Sequence, residues 1–132
     1  MNANVYVFAK VRVAGTHYWP DAATESENHK YLFAIHRHLF YIKVTMRVAK
    51  AAPIDSGQDV MNLNQRSIEF LQLQSDIFNA LMGLYGFNFE TQSIRFGTHS
   101  CETIAALLLQ KMDAYMVEVS EDDENGAIIQ SA

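Results

Sequence analysis

Two long segments of the chain alternate between apolar and more polar side chains with a period of two residues. In the first segment, residues 4–14, the aliphatic positions are Val5, Val7, Ala9, Val11 and Val13. In the second, residues 37–49, one face would carry Phe40, Ile42, Val44, Met46 and Val48. Successive side chains of a strand point to opposite faces, so this spacing predicts two long β-strands, each with one buried face.

Two later segments have the spacing of amphipathic helices. Leu73, Ile77 and Leu81 recur on one helical stripe, which predicts a helix over residues 71–84 that ends near Gly86. Ser100 is placed to cap a second helix, and Glu102 in its first turn would face the positive end of the helix dipole favourably.

The rest of the chain predicts shorter strands and turns. Residues 66–70 are a candidate short strand, and residues 115–121 and 127–130 form a hairpin across the turn DDENG. Residues 87–97 are a connection without an assigned structure. The expected fold class is α+β, with a four-stranded antiparallel sheet and both helices on one face. Such a sheet has two open edges, so we expect a homo-oligomer.

Composition narrows the class of protein. The 132 residues fit one domain spanning 1–132, and the net charge of -5 argues against binding to a nucleic-acid backbone. No apolar run reaches the roughly 20 residues that span a bilayer, so no membrane partner is expected. The N-terminus lacks a signal-peptide pattern, and Cys101 has no second cysteine to pair with. A cytoplasmic location is therefore the expectation.

A His-x-His pair, His36 and His38, opens the second long strand. Residues two apart in a strand share a face, so two imidazoles could converge on one ion, with His17 from the first strand as a third ligand. The alternative is a pair of polar residues where a strand reaches solvent. His29 and His99 leave a different set of three ligands open.

Several motifs together resemble the tunnelling-fold family of 6-pyruvoyl-tetrahydropterin and 6-carboxytetrahydropterin synthases. They are THYWP with His17, HRHLF with His36 and His38, IEF at 68–70, Ser100-Cys101-Glu102, and VEVSE at 117–121 followed by NGAI. The resemblance covers most of the chain. It implies a ββααββ unit that assembles as trimers or a hexamer into a barrel, and a Zn²⁺ ion held by the three histidines.

The resemblance also implies a site for a flat ring. Glu121 would accept hydrogen bonds from the amino group and ring N–H of a pterin or purine-like ligand. Ser100, Cys101 and Glu102 would add polar contacts, and Phe33 would stack on the ring. The alternatives are that Glu121 belongs to a solvated acidic turn and that Phe33 packs in the core.

Two features of the family's proton relay are missing from the sequence. The family has a cysteine shortly before the His-x-His pair, whereas this chain has Tyr31-Leu32-Phe33-Ala34-Ile35. The family's Leu-Asp-His segment after the first helix is also missing. Cys101, with a thiol pKa lowered by the helix N-terminus, and His99 are substitute candidates for the catalytic groups. Alternatively, Cys101 is a small buried residue and His99 an ordinary loop histidine.

Three functions remain open at this point. The first is a zinc-dependent enzyme that acts on a pterin or a dihydroneopterin-triphosphate-like substrate. The second is a catalytically inactive relative that binds or sequesters a pterin or purine-like nucleotide. The third is a structural module stabilised by a metal ion.

Overall fold

The computed structural model describes residues 2–22, 31–32, 34–48, 52–53 and 68–132. Its elements, in chain order, are β1 (Asn2–Ala3), β2 (Tyr6–His17), β3 (His36–Arg47), β4 (Ala52–Pro53), α1 (Phe70–Leu84), β5 (Gly86–Asn88), β6 (Ser93–Gly97), α2 (Cys101–Met112), β7 (Met116–Glu121) and β8 (Asn125–Gln130). The protein is thus α+β, as the sequence predicts.

The main sheet has six strands in the order β5-β6-β2-β3-β7-β8. Only β2 and β6 run parallel among these neighbours, and the other pairs are antiparallel. The sheet is open, with β5 and β8 at its edges. β1 and β4 form a separate two-stranded sheet.

One face of the main sheet carries the apolar core. Its centre is formed by cross-strand neighbours on β2, β3 and β7, namely Val11 beside Ile42, Val13 beside Phe40, Ile42 beside Val119 and Val44 beside Val117. α1 packs against this face through Leu73, Ile77 and Leu81, and α2 through Ile104 and Leu108. None of the helices in the described part of the chain is long and apolar enough to cross a membrane.

The four expected strands are present, but the expectation of a four-stranded antiparallel sheet is wrong: the sheet has six strands, is mixed, and includes two strands between the helices. The sequence pattern left residues 87–97 unassigned, whereas they contain β6 and all of β5 except its first residue, Gly86. β6 is short, and its register with β2 shifts between Thr16 and His17. Its alternating residues Ile94 and Phe96 are buried on the core face, which is what stabilises the strand against β2.

Two other predicted boundaries differ from the structure. The first long strand continues past residue 14 to His17, because its pairing with β3 continues to its last residue. The strand predicted at 66–70 is wrong for residues 68–70. Glu69 caps α1 by accepting a 2.8 Å hydrogen bond from the backbone N–H of Gln72, and Phe70 is the first helical residue. Residues 66–67 lie outside the described part of the chain.

Candidate metal centre

Strand register brings three histidines together at one end of the core face. His17 lies directly opposite His36, and Gly15 lies opposite His38. Because side chains two residues apart share a face, His36 and His38 continue the row that begins with buried Phe40. The ring centroids are 4.6 Å apart for His17 and His36, 5.0 Å for His36 and His38, and 5.4 Å for His17 and His38.

The Nδ1 atom of each ring is hydrogen-bonded to an oxygen atom. His17 Nδ1 donates to the carbonyl oxygen of His99 at 3.0 Å, and His36 Nδ1 donates to that of Ala34 at 2.9 Å. His38 Nδ1 lies 2.7 Å from Oδ2 of Asp122. Because these oxygens accept hydrogen bonds, they place a proton on each Nδ1, which leaves Nε2 as the ring nitrogen that could bind a metal. This is the usual outer arrangement of metal-binding histidines.

The three histidines lie close enough to hold one metal ion. One nitrogen from each lies within 4.8 Å of a nitrogen from each of the others. Burial lowers the pKa of His17, which favours the neutral ring that a metal requires. The predicted grouping is therefore confirmed as a possible metal site. His99 takes part through its backbone carbonyl, and His29 lies outside the described residues.

The floor of the histidine cluster is aromatic. The Phe40 ring meets His17 edge-on at 5.3 Å and His38 at 6.0 Å, and Phe96 packs behind Phe40 at 4.6 Å. Gly15 makes this packing possible, since a Cβ atom there would lie 2.4 Å from the Phe96 ring and 2.8 Å from the Phe40 ring. An apolar wall limits the access of water to a metal site.

Glu121 lies beside the histidine cluster. It ends β7 directly opposite Phe40, so its side chain emerges on the core face. Its Oε1 atom lies 3.1 Å from His17 Nε2 and its Oε2 atom 3.5 Å from His38 Nε2. Its side chain is 30% exposed, whereas Asp122, Asp123 and Glu124 are exposed turn residues. Glu121 is therefore structurally separate from the acidic turn that follows it.

Cys101 is the first residue of α2 and is buried against Glu121. Its Sγ atom lies 3.9 Å from Oε1 of Glu121 and is oriented to donate to it. Burial, together with the charge of Glu121, raises the pKa of the Cys101 thiol to about 12. The expectation of a lowered thiol pKa at the helix N-terminus is therefore wrong, because desolvation and a nearby carboxylate outweigh the helix dipole.

The other described residues predicted to bind the ring make no hydrogen bond with the histidine cluster. The Ser100 hydroxyl caps α2 by accepting from the N–H of Thr103 at 3.3 Å. Glu102 is exposed in the first turn of α2. Phe33 lies outside the described residues.

Two residues that contact the cluster or its hydrogen-bond partners were not predicted from the sequence. Asp122, in the acidic turn, also accepts from the N–H of Leu39 at 3.0 Å. Tyr85, just after α1, contacts His99, with its hydroxyl oxygen 3.0 Å from Nδ1 of the ring. Burial raises the pKa of Tyr85 to about 12, so its hydroxyl is protonated at neutral pH. In the sequence, Asp122 is one acidic residue among several in the turn. Its contact with His38 is visible only in the folded chain.

A cavity of about 410 Å³ opens beside His17. Polar side chains from several elements line it, among them Thr16, Asn88, Thr91 and Arg95. The exposed side chain of Arg95 lies on this wall. A small polar molecule next to His17 would thus find hydrogen-bonding groups and a positive charge.

No protein-family model matches the chain, and no curated protein matches it.

Proposed function

We propose that this chain is a zinc-binding protein of the tunnelling-fold type that acts on a pterin or a dihydroneopterin-triphosphate-like molecule. One observation carries the proposal: three histidine rings lie together at one end of the sheet, and each ring has its Nδ1 atom hydrogen-bonded to an oxygen.

Zinc is the ion that best suits this set of donors. Three neutral imidazoles with a further position for another ligand form a common zinc arrangement. His17, His36 and His38 would hold the ion, and the bound ion would polarise an oxygen of the substrate as a Lewis acid. The Phe40 ring beneath His17 and His38 would exclude water from one side of the ion.

The family resemblance and the position of Glu121 support the proposed substrate class. Glu121 offers two acceptor oxygens to an amino group and an adjacent ring N–H, the pattern of a pterin or guanine edge. Ser100, Cys101 and Glu102 would border the ring, as the resemblance implies.

A binding protein without catalysis is the second candidate. Cys101, with its thiol pKa raised to about 12, is a protonated side chain at neutral pH and a poor nucleophile. The family's own cysteine and Leu-Asp-His segment are also missing from the sequence. These two facts favour a protein that sequesters or senses a pterin or purine-like nucleotide.

We also propose self-association into trimers or a hexamer. Among the described residues, no strand pairs with the outer edge of β5 or β8, and Ile128 on β8 is 64% exposed. Pairing of such edges between subunits would cover them and extend the sheet toward a barrel.

Metal analysis of the purified protein tests the proposal first. We expect about one zinc per chain in the wild type, loss of zinc in His36→Ala, and retention in His29→Ala, which serves as the matched histidine control. Full zinc binding by His36→Ala, or loss of zinc in the control, would contradict the assigned set of ligands.

Incubation of the zinc-loaded protein with dihydroneopterin triphosphate separates the two candidates. Product formation supports the enzyme, whereas tight binding that leaves the substrate intact supports the binding protein. If the zinc-loaded protein neither binds nor converts this substrate or a free pterin, the proposed ligand class is wrong.

A further inference from the structure

We infer that Glu121 is the fourth ligand of the metal, so that the site is closed at rest and opens when the carboxylate moves to an incoming ligand. The inference rests on the proposed metal site and adds a form of regulation to it. In the family that this chain resembles, the matching glutamate is expected to hold the ring; here its position points first to the metal.

The distances between Glu121 and the rings are those of neighbouring metal ligands. Glu121 Oε1 lies 3.1 Å from His17 Nε2, and Oε2 lies 3.5 Å from His38 Nε2. In a tetrahedral site with ligands about 2.0–2.1 Å from the ion, neighbouring ligand atoms are about 3.3 Å apart. Each carboxylate oxygen therefore lies near one ring nitrogen at the spacing that a shared ion imposes.

The hydrogen bonds of the rings leave their Nε2 atoms toward Glu121. The Nδ1 atoms of His17 and His38 are held by the carbonyl of His99 and by Asp122, so Nε2 is the atom of each ring that faces the carboxylate. A cation shared by these two nitrogens and by Glu121 would hold them at the observed distances, and three imidazoles with a carboxylate suit zinc.

The surroundings of Glu121 allow it to leave the metal. Its side chain is 30% exposed, it ends β7, and the residue after it begins a turn with left-handed backbone angles at Asp122 and Asp123. The Cys101 thiol beside Oε1 is a weak neutral donor rather than a positive partner. A ligand that offers two N–H groups could therefore draw the carboxylate away and open a position on the ion.

The protein loaded with Co²⁺ in place of zinc provides the test, because the visible absorption of Co²⁺ reports its ligands. We expect millimolar azide to leave the wild-type spectrum unchanged, since Glu121 fills the fourth position. In Glu121→Gln, azide should enter and shift the spectrum. Glu124→Gln, the same substitution at an exposed residue of the same turn, should behave like the wild type.

Zinc affinity, measured by competition with a chelating dye, gives an independent readout. Loss of an outer hydrogen bond to a metal ligand costs about 10–100-fold in affinity, and loss of a direct ligand should cost Glu121→Gln about 100-fold or more. Glu121→Asp keeps the charge but shortens the reach, so a loss in both variants indicates direct ligation. A loss in Glu121→Gln alone would indicate simple charge attraction and overturn the inference.

The outcomes distinguish this inference from the proposed function. If the wild type binds no metal, the proposed function fails first and the inference fails with it. If the wild type binds zinc and Glu121→Gln binds it equally well, only the inference fails. Should that variant keep zinc but lose pterin affinity, Glu121 is a ring anchor alone. Circular dichroism of each variant confirms that an altered affinity comes from a folded chain.

Discussion

Replacing Asp122 by asparagine tests the outer hydrogen bonds that orient the metal centre. Asp122 uses both carboxylate oxygens, Oδ2 toward His38 Nδ1 at 2.7 Å and Oδ1 toward the N–H of Leu39 at 3.0 Å. These bonds lower the pKa of Asp122, so the group is ionised at neutral pH. Asparagine is nearly the same size and tolerates the left-handed backbone found there, with φ of 54°.

The two hydrogen bonds of Asp122 explain why asparagine should weaken zinc binding. Asparagine has one acceptor oxygen, so either His38 or Leu39 must face its NH₂ group, a donor meeting a donor. If His38 faces the NH₂ group, relief comes from moving the ring proton to Nε2, which removes the lone pair that would bind the metal. Loss of such an outer partner weakens metal binding by about 10–100-fold.

The assay is zinc affinity by competition with a chelating dye at pH 7.5. Asp123→Asn is the matched control, since Asp123 is the next residue, is exposed and has a similar φ of 58°. We expect weaker binding in Asp122→Asn and unchanged binding in the control. Equal affinities in Asp122→Asn and the wild type would refute the argument that Asp122 fixes the tautomer of His38.

Two further predictions concern the aromatic floor and the buried thiol. Gly15→Ala should lower the free energy of unfolding of the metal-free protein in urea by about 1–3 kcal/mol, because the new Cβ would overlap the rings of Phe96 and Phe40. Gly86→Ala is the control and should cost less, since no atom lies within 4 Å of its new Cβ. Equal losses in the two variants would contradict the packing argument. Cys101 in the metal-free protein should react slowly with iodoacetamide near pH 8, at a rate that rises only toward its pKa of about 12. Since the folded thiol pKa exceeds its ordinary value of 9.0, the stability from keeping the thiol neutral is complete below pH 9 and is lost as the pH rises toward 12; reaction as fast as in the urea-unfolded chain would contradict this.

Local patterns predicted much of the fold because they reflect the burial of one face. The alternation in β2 and β3 gave both strands, and the stripe of Leu73, Ile77 and Leu81 gave α1 to within one residue. β6 was not predicted, because it is short and depends on parallel pairing with β2, which lies nearly 80 residues away in the chain. A short strand of this kind has too weak a local pattern to predict its pairing.

The residues of the site were easier to suggest than their arrangement. The resemblance pointed to Glu121 as a ring anchor, which stays a prediction, while its nearness to the histidines was found only in the structure. The thiol of Cys101 was expected to be acidified by the helix dipole. Its buried position beside a carboxylate, which the helix start could not reveal, has the opposite effect.

The sequence by itself determined that His36 and His38 share a face, because the two-residue period of a strand requires it. Tertiary structure decided that His17 meets them, since slipping β2 by two residues along β3 would keep every apolar face and separate the rings. Tertiary structure also decided which ring nitrogen carries the proton. The Nδ1 atom of His17 is hydrogen-bonded to a carbonyl 82 residues away, and that of His38 to a carboxylate 84 residues away. Only the folded chain brings together groups so distant in sequence, and their contacts turn three histidines into a candidate metal centre.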